Sequence, residues 1–110
     1  MQTVVHAISE PRRREILRLV RDRELAAGEI AARFEVTRTT ISQHLTVLKN
    51  AGLVSERREG TRRLYRARPE GLAELRSFLD GFWEDGLERL KRAAEQEQRR
   101  GRVARAAKRN

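Results

Sequence analysis

Residues 27–67 read AGEIAARFEVTRTTISQHLTVLKNAGLVSERREGTRRLYRA, and the spacing of their apolar residues changes once, at Gly52. Before it, Ala27, Ile30, Ala31 and Phe34 share one face of a short helix. Glu35 and Val36 leave room only for a tight connection. Thr37 is then a good N-cap for a second helix whose apolar positions are Ile41, Leu45 and Leu48, and Ala51-Gly52 supplies its C-terminal stop. After Gly52, residues 53–58 and 61–67 flank Glu59-Gly60, which is a strand–turn–strand signal. Across that hairpin Glu56 is expected roughly opposite Arg63, a favourable cross-strand pair.

Outward from this stretch, residues 3–8 can form a short helix with Val4, Val5 and Ile8 apolar. Pro11 suits the first position of another helix, with Glu10 as a weak cap and Ile16, Leu17 and Val20 on its apolar face, ending near residues 22–23. Pro69 opens a last helix in which Leu72, Leu75, Phe78, Leu79, Phe82, Trp83, Leu87 and Leu90 recur every three or four residues. The order α-α-α-α-β-β-α is mainly helical with a small β-hairpin. Short helix, tight turn, second helix and basic hairpin together describe a winged helix-turn-helix.

Composition narrows the function. The 110 residues hold 25 Lys and Arg against 16 acids, a formal net charge of +9, which points first to nucleic acid and second to an anionic membrane surface. Cysteine is absent, so disulfides, thiolate metal sites and thiol redox chemistry are excluded. The two histidines, His6 and His44, are too few for an ordinary nitrogen-ligand metal site, so neither a metal nor another cofactor is expected. No apolar run approaches membrane-spanning length and no signal-peptide pattern follows the start, so the cytoplasm is the expected compartment. Arginine outnumbers lysine 22 to 3, a hint of a GC-rich bacterial genome. No phosphate loop or nucleophile elbow is present, and the carboxylates of the last helix stand among arginines, so catalysis is not expected.

Charge is concentrated in two places. Residues 57–68 contain six arginines and one acid, and residues 91–110 contain eight basic residues and two acids. One domain over residues 1–97 is expected, followed over 98–110 by a basic tail whose composition predicts disorder.

In a helix-turn-helix the second helix enters the major groove, so its outward face must be polar and short enough to reach base edges. That helix spans residues 38–49, and its outward face carries Thr39, Ser42, Gln43 and Thr46 as base readers. Gln43 suits adenine, and the smaller residues permit close approach. Arg38 and Lys49, with Arg57, Arg58, Arg62 and Arg63 of a wing over residues 57–66, are expected on the DNA backbone. A lone helix of this kind could be an ordinary solvated face; the arginine-rich hairpin directly after it tips the reading to double-stranded DNA. His44, between Gln43 and Leu45, reads as a packed or hydrogen-bonded helix residue before a phosphate contact. Arg12, Arg13 and Arg14 at a helix N-terminus oppose its macrodipole, and read as solvated, carboxylate-paired or phosphate-touching.

Residues 39–54 (TTISQHLTVLKNAGLV) and 57–65 (RREGTRRLY), with residues 7–17 (AISEPRRREIL) ahead of them, resemble the recognition helix, wing and second-helix entry of the ArsR/SmtB transcriptional repressors. The resemblance covers roughly residues 3–95. It implies a bacterial homodimeric repressor that binds a short inverted repeat, some members being autoregulatory. It also implies a dimer interface built from the first and last helices, here Val4, Val5 and Ile8 with Leu72, Leu75, Phe78, Leu79, Phe82, Trp83 and Leu90. Metal-sensing members carry cysteines where this chain has Ala26-Ala27-Gly28, or histidines on the last helix where it has Asp80, Glu84, Asp85 and Glu88. Neither sensing pattern carries over, and a small-molecule effector stays unspecified. Two other classes remain open on the sequence: an architectural nucleic-acid binder driven by charge, and a protein-interaction module built on the last helix.

Overall fold

Helix α1 (Gln2–Ile8) buries only Ala7 completely, and it ends where Ser9 turns back to the carbonyl of His6. Pro11 occupies the first turn of α2 (Pro11–Leu19), and the Glu10 carboxylate accepts a hydrogen bond from the Arg13 backbone N–H at 3.1 Å, so the weak cap is a working one. This computed structural model describes residues 1–109, with side chains through residue 101. The chain divides into two compact units, Met1–Leu75 and Arg76–Asn110.

In the first unit, α2 leads through a two-residue strand, β1 (Leu25–Ala26), into α3 (Ala27–Ala31) and α4 (Arg38–Asn50), then into the hairpin β2 (Val54–Glu59) and β3 (Arg62–Ala67). Thr37 caps α4, its hydroxyl accepting from the Thr40 N–H at 3.1 Å. The other end of α4 closes with two reverse hydrogen bonds, Leu53 N–H to the Leu48 carbonyl at 2.9 Å and Gly52 N–H to the Lys49 carbonyl at 3.0 Å. Gly52 sits at φ +76°, the left-handed position this ending requires, and Leu48 and Leu53 both lie buried beside it. One apolar cluster fills the unit: Ile16 and Val20 from α2, Ile30 from α3, Ile41, Leu45 and Leu48 from α4, and Val54 and Tyr65 from the hairpin are among its members.

The sheet has three strands in the order β1-β3-β2, all antiparallel, with Leu25 opposite Tyr65 and Glu56 opposite Tyr65 from the other side. Two features differ from expectation. Strand β1 is too short to carry a periodic signal of its own and exists by pairing with β3. The turn is Gly60-Thr61 rather than Glu59-Gly60, because Glu59 pairs with Arg62. Of the two turn residues Gly60 alone has positive φ, at +62°, which suits a two-residue hairpin loop with glycine first. Register therefore moves by two residues, so Arg63 faces Arg58 and Glu56 faces Tyr65.

A 3₁₀ turn (Pro69–Leu72) precedes α5 (Ala73–Arg109), so Pro69 opens a single turn and the long helix starts four residues later. In the second unit, residues 98–101 continue α5, whereas composition alone predicts disorder there. Gln98, Arg99 and Arg100 are good helix formers, and they carry the helix on to Gly101. The side chains of the basic residues from Arg102 onward lie outside the described residues. Phe78, Phe82, Trp83, Leu87 and Leu90 are all more than half exposed, and the Phe82 and Trp83 rings meet edge-on with centroids 6.4 Å apart. Among the described residues no helix is long and apolar enough to cross a membrane.

Candidate nucleic-acid interface

Burial of Ile41, Leu45 and Leu48 turns the opposite side of α4 outward, and Arg38, Thr39, Ser42, Gln43, Thr46 and Lys49 are all exposed. The Thr46 hydroxyl donates back to the Ser42 carbonyl at 2.9 Å, keeping its lone pairs available. Thr39 and Gln43 make no side-chain hydrogen bond among the described residues, so their polar groups are free to meet a partner.

The side chains sort into two sets. Between α4, the start of α3 and the wing lies a groove of about 820 Å³. It gathers Arg38, Ser42, Thr46 and Lys49 from α4 with Arg62 and Arg63 from β3. Thr39, Gln43, Arg57 and Arg58 do not line it. Two acids do, and the sequence reading assigned neither to the interface: Glu29 on α3 and Glu56 on β2. Glu56 stands between cations on both walls, 3.2 Å from the Lys49 Nζ and 3.7 Å from the Arg63 Nε. Partial burial pushes its carboxyl pKa up, but Lys49, Arg63 and the Tyr65 hydroxyl outweigh this and hold it below the ordinary value. The predicted Glu56–Arg63 pair thus exists as a diagonal neighbour rather than a directly opposed one. Arg62 pairs with Glu29, whose carboxylate also accepts from the Ala26 N–H at 3.1 Å at the start of α3.

Outside the groove, Arg57 binds Glu24 at 2.9 Å and Glu59 at 3.2 Å. The hydrogen bond from Arg57 lowers the Glu24 pKa, and the Glu24 carboxylate in turn raises that of Arg57. Arg58 has no carboxylate within 4.0 Å among the described residues.

Behind α4, His44 is mostly buried and joins the recognition helix to α2. The Arg13 guanidinium lies 3.3 Å from its Nδ1, which fits a ring protonated on Nε2, while Nε2 itself stands 3.9 Å from the Glu10 carboxylate without a hydrogen-bond partner. Burial lowers the His44 pKa, Glu10 opposes that, and Arg13 and Arg12 add to it. Arg13 departs from every sequence expectation. It is 8% exposed, and it donates to the carbonyls of Ala7 at 2.6 Å and His6 at 3.1 Å. Arg14 donates to the Ile8 carbonyl at 2.7 Å. Both guanidinium groups thus sit at the carbonyl end of α1, where a positive charge is favourable, instead of extending into solvent or toward a carboxylate. A sequence cannot show this, because the contact depends on how α1 folds back over α2.

Residues 10–56 match the family described as bacterial regulatory protein, arsR family. Over 81 residues the chain is 47% identical to the HTH-type transcriptional regulator Rv2034 of Mycobacterium tuberculosis, spanning 74% of this chain and 76% of that protein. This chain belongs to the ArsR family. It is a winged helix-turn-helix transcriptional regulator, not an enzyme. A 60-residue stretch is 43% identical to the transcriptional repressor SdpR of Bacillus subtilis, covering 54% of this chain and 67% of the relative. Among solved structures, the homodimeric winged helix-turn-helix DNA-binding domain of a possible ArsR-family regulator from Mycobacterium bovis superposes with a TM-score of 0.61 at 38% identity. That likeness covers 79% of this chain and 81% of the other. Among the described residues no three metal-binding side chains converge.

Proposed function

We propose that this ArsR-family regulator is a cytoplasmic homodimeric repressor that binds an inverted-repeat operator, some of its control being autoregulatory. The observation that carries the reading is the six-residue polar face of α4 beside a groove walled by wing arginines. Thr39 and Gln43, exposed and without side-chain hydrogen bonds, are the leading base readers. Ser42 and Thr46 permit close approach. Arg38, Lys49, Arg62 and Arg63 hold the phosphates that run over the groove, and Arg57 and Arg58 reach the backbone from outside it. The dimer forms through Leu75, Phe78, Leu79, Phe82, Trp83 and Leu90 of α5, with Leu72 and with Val4, Val5 and Ile8 of α1. The homodimeric relative supports the assembly, and the relative named as a repressor supports the direction of control.

The test is position by position. Gln43→Ala should cost about 1–3 kcal/mol at one operator base pair and relax discrimination there, read by competition among single-base operator variants. A uniform loss over all variants would remove Gln43 from base readout.

A further inference from the structure

Four cations wall the groove between α4 and the wing, and three of them are already occupied by carboxylates of the same chain. Lys49 and Arg63 share Glu56, and Arg62 pairs with Glu29. Only Arg38 has no carboxylate within 4.0 Å among the described residues. The groove therefore offers an approaching phosphate a net charge of +2 from four cations and two acids rather than +4.

We infer that Glu29 and Glu56 are built-in counterions that set how strongly this regulator grips the DNA backbone, competing with phosphate for Lys49, Arg62 and Arg63. The inference rests on the reading of this groove as the backbone site. A phosphate seated there must take a cation over from its carboxylate. The carboxylate then keeps a negative charge in the interface, which offsets part of the counterion release that favours binding. Glu56 is placed to oppose both walls at once, since its two oxygens face α4 on one side and β3 on the other. Its depressed pKa keeps it charged at neutral pH.

Glu29→Gln and Glu56→Gln keep side-chain size, and a glutamine oxygen can still accept from the Ala26 N–H. Glu70→Gln makes the same change in net charge outside the groove, where Glu70 pairs with Arg68. Anisotropy titrations of the full chain on a labelled random-sequence duplex, over about 50 to 300 mM NaCl, read affinity and salt slope together. Each groove variant should bind about two- to fivefold tighter near 100 mM, the scale of one exposed ion pair. Each should also steepen the log–log slope by up to about 0.9. Glu70→Gln should change neither. Weaker or unchanged binding by both groove variants, with melting temperatures intact, would overturn the inference and leave these acids as struts. Equal tightening by Glu70→Gln would overturn it in favour of net charge. If the unmodified protein showed no salt-dependent duplex binding, the backbone reading itself would fall; binding by it with unresponsive variants removes only the counterion role.

Discussion

Replacing Arg13 with methionine separates a structural cation from a DNA-binding one. In the folded chain its guanidinium serves three acceptors: the Ala7 carbonyl at 2.6 Å, the His6 carbonyl at 3.1 Å and the His44 Nδ1 at 3.3 Å. Ala7 is fully buried, so its carbonyl has no water to replace the lost donor. A buried acceptor left unpaired costs about 1–3 kcal/mol. The His6 carbonyl can turn to solvent, because His6 is exposed and Ser9 also donates to it at 2.6 Å. Two uncompensated acceptors, less the packing that methionine restores, come to about 2–3 kcal/mol. For a unit of this size that lowers Tm by about 10–20 °C. Thermal unfolding followed by circular dichroism at one fixed protein concentration reads it, the concentration being held because assembly shifts Tm. Arg13→Lys should fall between, since one ammonium cannot span both carbonyls. A variant that melts within about 2 °C of the parent and loses DNA affinity instead would refute the reasoning and return Arg13 to the phosphates.

The His44 pKa is depressed below its ordinary 6.5, so as pH falls the unfolded chain takes up that proton before the folded one does. Stability contributed by neutral His44 is therefore complete above pH 6.5 and is lost as pH drops from there toward the depressed folded value. Urea unfolding from pH 7.5 down to about 5 should show this decline, and His44→Gln, which keeps an acceptor for Arg13, should flatten it; a parent curve already flat over that window contradicts the account. Glu24, Glu56 and Glu70 are also depressed, but below 4.5, so their losses fall in a separate acid window. For the seam, Phe82→Glu combined with Trp83→Glu places two charges on an exposed apolar stripe. Light scattering should give about twice the 12.8 kDa chain mass for the parent and the single-chain mass for the variant, and a variant that stays dimeric would move the seam elsewhere.

Where a stretch announced its own period, the sequence was enough. The Ile41, Leu45 and Leu48 spacing with the Thr37 cap and the Ala51-Gly52 stop gave α4 and, with it, which side chains face outward. What stayed hidden depends on partners distant in the chain. Strand β1 has two residues and exists because β3 lies beside it. The hairpin register turned on whether Gly60 stood first or second in the loop, and a shift of two residues keeps every side chain on the same face, so alternation could not decide it. Of the groove's acids, Glu56 carried a signal in its expected cross-strand pairing with Arg63, and Glu29 carried none, since its partner Arg62 is distant in the chain. Arg13 carried none, because a buried arginine and a solvated one look alike in a basic helix.

The most direct test of the central claim is selection of bound sequences from a random duplex library at about 150 mM salt, where sequence-independent electrostatic binding is weakened. A homodimeric repressor should enrich a two-fold symmetric motif with half-sites centred about one helical turn apart, one for each α4 of the dimer. Tight binding that enriches no motif would contradict it and leave a protein that recognises charge alone.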